Sequence, residues 1–168
     1  MSMIVNRRDL DFVLYETLDL EIILESERYA DYDRESLDAM MDLCQTIAED
    51  QFLPCAAKLD ANEPQFVDGK VETISELKEA IGAYQEAGLC ASAYDLDVGG
   101  MQLPWMMDQA LNGMFVCANN PAHIYLFLTQ GVANMLNACG SDELKKKYLP
   151  NLVDGNWFGT MCLSEPQA

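Results

Sequence analysis

Between Arg8 and about Glu27, apolar residues recur at Leu10, Val13, Leu14, Leu18, Ile22 and Ile23, with acids between them. Spacings of three and four place them on one helical face, which predicts one amphipathic helix or two short ones. A one-sided stripe needs a cover, so this segment is expected to be an N-terminal extension laid on a partner surface. From Arg34 to about Asp60, Leu37, Met40, Met41, Leu43, Ile47, Ala48 and Phe52 predict a longer helix of the same kind, with a kink expected at Pro54.

Residues 62–73 break the period. Asp68-Gly69 between Phe66-Val67 and Lys70-Val71 reads as a small hairpin turn, since glycine tolerates the positive φ of a tight turn. Helix resumes from Ser75, the expected N-cap, through Leu77, Ile81 and Tyr84, and Gly88 is its stop. After the loop LDVGGMQLP, Pro104 opens a helix to about Ala118 that is apolar nearly all round, at Trp105, Met106, Met107, Leu111, Met114, Phe115 and Val116. A second apolar helix runs from Pro121 to about Cys139 and ends at Gly140. Ser141 then caps a short helix with Asp142 and Glu143 in its first turn and Lys145, Lys146 and Lys147 toward its end, as the helix dipole favours. Thr160, Met161, Cys162 and Leu163 read as a strand running into a Ser164-Glu165-Pro166 turn, with little else in the chain to pair it. The predicted fold is all-α, a bundle of about six helices with an N-terminal helical extension and one trailing strand.

Charge sharpens this picture. Residues 1–100 hold 23 Asp/Glu against 7 Lys/Arg, a balance of −16, whereas residues 101–168 hold 5 against 3, a balance of −2. The first part therefore reads as an outer layer, and the apolar stretch from Met101 to Cys139 as a surface to be covered by more protein. A net charge of −18 repels nucleic-acid backbones and anionic membranes, so neither is expected as a partner. Asp108, Gln109, Asn112 and Asn119-Asn120-Pro121 interrupt the apolar stretch and argue against a membrane span.

The six cysteines, at 44, 55, 90, 117, 139 and 162, form no C-x-x-C pair, and MSMIVNRRDL has no apolar leader core. Reduced thiols in a cytoplasmic protein are expected, and no metal site, because His123 is the single histidine. A packed or partly exposed imidazole, not a catalyst, is the expectation for His123 in its apolar helix, and core filling for Met106, Met107 and Met114.

The ordered set from DVGGMQLP, through two apolar helices, to GSDELKKKYLPNLVDGNWFGTMCLSEPQA resembles the N-terminal α-helical domain of the acyl-CoA dehydrogenases running into a first β-strand. The helix before Arg34 is similar to a longer bacterial subgroup that includes 3-methylmercaptopropionyl-CoA dehydrogenase. The resemblance implies an extension over 1–33, the helical domain over 34–155 and the start of a β-domain over 156–168. It also implies that the chain is a fragment of a longer FAD-dependent enzyme, whose polypeptide continues with a β-domain and a C-terminal helical domain.

In that family a carboxylate takes the α proton of an acyl-CoA thioester while the β hydrogen leaves as hydride to FAD. The base belongs to the C-terminal domain, so no catalytic residue is assigned among the 28 acids here. The resemblance places Met161 and Leu163 alongside the flavin ring, with the Ser164 hydroxyl on its pyrimidine edge. Relatives often carry threonine at the serine position and an aromatic residue at the position of Met161. Implied partners are an acyl-CoA substrate, an electron-transfer flavoprotein as acceptor and further copies of the full-length chain. Pattern and charge alone leave two other readings: an acidic α-helical interaction module without activity, and a flavin oxidase on the same scaffold.

Overall fold

The computed structural model describes Ser2 and residues 4–167; the expectations that reach Met1, Met3 and Ala168 lie outside the described residues at those positions. The N-terminal stripe forms two short helices, α1 (Arg7–Asp11) and α2 (Leu20–Leu24). A π-helical turn, Phe12–Thr17, extends α1, and Asp19 in the left-handed region (φ 51°) separates it from α2. The surface this segment covers is the chain's own bundle: Leu14 and Leu20 are buried in one core with Leu37 and Met41. Arg7 pairs with Asp42, the Tyr15 hydroxyl donates to Asp38 at 3.0 Å, and the Arg34 guanidinium lies 4.1 Å from the Tyr15 ring centre.

Helix α3 (Arg34–Ile47) starts from a reciprocal cap in which the Asp33 carboxylate accepts the Ser36 N–H and the Ser36 hydroxyl accepts the Asp33 N–H. It continues through a π-helical turn, Ala48–Phe52, and a 3₁₀ turn, Leu53–Cys55, into α4 (Ala56–Ala61). Pro54 lies in the 3₁₀ turn, where its missing N–H and its ring prevent an undistorted α-helix. The hairpin forms as expected, β1 (Gln65–Val67) against β2 (Lys70–Glu72), with Phe66 opposite Val71 and positive φ at Asp68 and Gly69. In helix α5 (Ser75–Glu86) Ser75 is not the cap: Ile74 holds that position, and the Ser75 hydroxyl donates to Glu76. Gly88, at φ 73°, ends the helical run.

The two apolar helices form one helical run, α6 (Trp105–Cys139), broken at Asn119 (φ −162°, ψ 86°) into an N-limb and a C-limb. Pro121 forbids the regular hydrogen bond at the junction, and the Asn119 side chain compensates by accepting the Ala122 N–H at 3.1 Å while its amide donates to the Phe52 carbonyl. At the centre of the main core, Phe115 sits edge-on to Phe52 and Tyr84, at 4.9 and 4.8 Å between ring centres. Helix α7 (Asp142–Val153) is capped by the Ser141 hydroxyl and packs Leu149, Leu152 and Val153 against Ala133 of the C-limb. It runs past Pro150 to Val153, so Lys145, Lys146 and Lys147 lie before its last turn and the dipole account of them does not apply.

Candidate functional site

The chain leaves the bundle through a short segment fixed at three points. Gly155 (φ 75°) accepts a hydrogen bond from Gln85 on α5, and a Cβ there would meet Gln85 at 2.8 Å and the Cys90 sulfur at 3.0 Å. The Trp157 N–H donates to the Asn151 carbonyl at 3.0 Å, and its ring lies 6.1 Å from that of Tyr148. The Gly159 N–H donates to Thr129 Oγ1 at 3.0 Å, and that hydroxyl in turn donates to the Tyr125 carbonyl at 2.7 Å, so both of its roles are filled.

Beyond Gly159 the chain runs free of the bundle. The strand expected at Thr160 to Leu163 forms no ladder, and residues 160–165 make no hydrogen bond among the described residues. Met161 is 63% exposed and Leu163 80% exposed, and Ser164 is exposed beside them. The three predicted cofactor residues lie within four positions of one another on this exposed segment, whose backbone pairs with none of the described residues.

Large apolar side chains stay exposed elsewhere on the bundle. Trp105, Val116, Ile124, Phe127 and Met135 stand out from α6 as exposed large apolar residues, while Met107, Leu111, Met114, Phe115 and Leu126 fill the core. Near the exit, an open groove of about 540 Å³ is lined by Leu77, Ile81, Tyr125 and Phe158, with Lys78 and Gln85 among its polar residues.

Sequence reasoning missed a buried polar cluster inside the bundle. Asp108 is the buried acid of the described residues, and it accepts from the Ser92 hydroxyl, from Gln109 Nε2 at 3.0 Å and from Asn112 Nδ2 at 3.1 Å. With the Asn112 amide nitrogen so engaged, its Oδ1 accepts both the Tyr84 hydroxyl and His123 Nε2, each at 3.0 Å. That orientation assigns the His123 proton to Nε2. Burial pushes the Asp108 carboxyl above its ordinary range, against the opposing effect of its donors, and lowers His123 to about 4. His123 is therefore the packed neutral imidazole expected for an apolar helix. The available signal was the i, i+4 spacing of Asp108 and Asn112 on a helix otherwise apolar.

Comparison with known proteins gives the family. Residues 34–156 match the family profile of the acyl-CoA dehydrogenase N-terminal domain. The chain belongs to the acyl-CoA dehydrogenase family. It is 30% identical over 167 residues to a butyryl-CoA dehydrogenase of Syntrophomonas wolfei, an alignment covering 96% of this chain and 27% of that protein. It is 25% identical over 161 residues to the 3-methylmercaptopropionyl-CoA dehydrogenase of Ruegeria pomeroyi, and 29% identical over 166 residues to a broad-specificity linear acyl-CoA dehydrogenase of Mycobacterium tuberculosis. The chain spans 27% of the length of these curated relatives.

Among solved structures, a chain from the work titled "Electron transferring flavoprotein of Acidaminococcus fermentans: Towards a mechanism of flavin-based electron bifurcation" superposes with a TM-score of 0.64. It is 22% identical and covers 82% of this chain and 33% of that one. At that identity the likeness bears on the fold alone. Among the described residues, no helix is long and apolar enough to cross a membrane.

Proposed function

We propose that this chain is the helical platform of an FAD-dependent acyl-CoA dehydrogenase, and that the segment leaving it is the edge on which the flavin rests. The observation carrying the reading is the position of Met161, Leu163 and Ser164 on exposed, unpaired backbone immediately after a segment fixed by Gly155, Trp157 and Gly159. A flavin has a flat apolar body and a polar pyrimidine edge. Free N–H and C=O groups with a hydroxyl suit that edge, and Met161 and Leu163 suit the ring, so the residues present fit the group.

In this reading Ser164 donates its hydroxyl proton to the pyrimidine edge, and Met161 and Leu163 exclude water from one side of the ring. Bound FAD supplies the acceptor for the hydride that leaves Cβ of the acyl thioester. The exposed apolar residues Trp105, Phe127 and Met135 lie against the rest of a longer polypeptide or against the acyl chain. The base that takes the α proton belongs to that further polypeptide, which makes the present chain inactive by itself. The acyl-CoA substrate, an electron-transfer flavoprotein as acceptor and assembly into homo-oligomers belong to the same proposal.

The test is to purify the full-length gene product, measure its FAD content, and add acyl-CoA anaerobically. Bleaching of the flavin supports the reading, as does a lowered FAD content in Ser164→Ala. Absence of flavin from a folded full-length protein refutes it.

A further inference from the structure

The match to the family domain begins at residue 34, so the segment from Ser26 to Tyr32 lies before it. Among the described residues, each long-range hydrogen bond of that segment ends on one loop inside the domain, residues 95–102. Arg28 pairs with the Asp95 carboxylate, the Tyr32 hydroxyl donates to the Met101 carbonyl, and Gln102 Nε2 donates to the Arg28 carbonyl at 2.6 Å.

The loop so held is tightly folded. The N–H groups of Gly100, Met101, Gln102 and Leu103 donate in succession to the carbonyls of Asp95, Ala91, Tyr94 and Ser92, at 2.9, 3.1, 2.8 and 2.9 Å. The backbone passes so close to the preceding connector that a Cβ at Gly100 would meet the Tyr94 carbonyl oxygen at 2.0 Å. Gln102 stands at φ 59°, in the left-handed region that residues other than glycine disfavour.

We infer that residues 26–32 are a strap that holds loop 95–102 in this turn, so that the order of the loop depends on docking of the N-terminal extension. The Arg28–Asp95 pair is half-exposed on both sides and contributes little alone, which leaves the Tyr32 hydroxyl and the Gln102 amide as the main ties. Gln102 is bound from two directions, its N–H to Tyr94 on the inside and its side chain to Arg28 on the outside, and its strained backbone is thereby kept in place. Docking is passed to the strap through backbone turns: Glu25, Ser26, Tyr29 and Tyr32 donate to the carbonyls of Ile22, Ile23, Ser26 and Tyr29, and α2 begins at Leu20, fully buried in the main core. The loop then enters α6 through Leu103 and Pro104, both buried, and its connector supplies Ser92 to the Asp108 cluster. A segment outside the family domain therefore sets the entry to the central helix, whether or not the exit segment binds a flavin.

Amide hydrogen exchange of the whole chain, read residue by residue by NMR, compares the N–H groups of residues 100–103 with those of α7. Tyr32→Phe removes one hydroxyl and keeps the ring that packs on the core. It is expected to speed exchange at residues 100–103 roughly fivefold, as the loss of one hydrogen bond implies, and to leave α7 unchanged. Leu20→Ala, which loosens the extension away from the strap, is expected to speed exchange at residues 100–103 by a larger factor than in α7. Loop amides that exchange as in the parent in Tyr32→Phe, or that are accelerated no more than those of α7 in either variant, overturn the strap. Where Leu20→Ala does not fold, Tyr32→Phe decides alone.

Discussion

The Gly159 N–H donates to the Thr129 hydroxyl at 3.0 Å, tying the exit of the chain to the middle of the α6 C-limb thirty residues earlier. A Cβ at Gly159 would meet the Val132 side chain at 2.7 and 2.9 Å, inside any ordinary contact. Gly159→Ala is therefore expected to destabilise the chain by about 1–3 kcal/mol through overpacking. Thr129→Val, which leaves the N–H without its acceptor, should cost about 1 kcal/mol. Denaturant unfolding of the two variants against the parent checks both figures.

Phe115 is fully buried and edge-on to both Phe52 and Tyr84. Removing its ring leaves a cavity at the point where α3, α5 and α6 meet. Phe115→Ala should lose about 3–5 kcal/mol, and Phe115→Leu markedly less, as read from urea midpoints.

The pH dependence of stability has a definite sign. His123 is lowered to about 4 from an ordinary 6.5, so the unfolded chain takes up its proton first. Its stabilising contribution is present above pH 6.5 and is lost as the pH falls toward 4, by about 3 kcal/mol in all. Asp108 is raised, so its contribution runs the other way: present below its unfolded value and lost as the pH rises through its folded one. Urea unfolding at a series of pH values should show the acid-side decline in the parent, and His123→Gln should remove most of it.

Large apolar side chains remain exposed along α6 and the exit segment, among them Trp105, Phe127, Met135, Met161 and Leu163. The chain by itself should bind an apolar dye such as ANS and associate with rising concentration. Phe127→Glu with Met135→Lys should reduce both signals. A monomer with no dye signal would instead favour a self-sufficient acidic module.

Much of this fold was legible because its punctuation is chemical. Gly88, the Asp68-Gly69 turn, the Asn-Asn-Pro break and the Ser141 cap each act through local backbone geometry, and each falls where the pattern put it. Ser75 failed as a cap because the extended backbone at Ile74 already turns the chain into the helix, leaving the hydroxyl to Glu76. The π-helical turns and the left-handed Asp19 carry no periodic signal, since one added residue per turn is set by packing above it.

The candidate site divides in the same way. Met161, Leu163 and Ser164 are close in sequence and are proposed from the motif alone, and the structure adds the anchors at Gly155 and Gly159 that precede their segment. The Asp108 cluster draws Ser92, Tyr84 and His123 from three separate segments, and only the packed bundle brings them together.

FAD content and reduction of the full-length gene product test the central proposal most directly. The expected result is stoichiometric FAD that acyl-CoA bleaches under anaerobic conditions, with weaker FAD retention when Ser164 is replaced by alanine. A folded full-length protein that neither carries nor takes up FAD would contradict it.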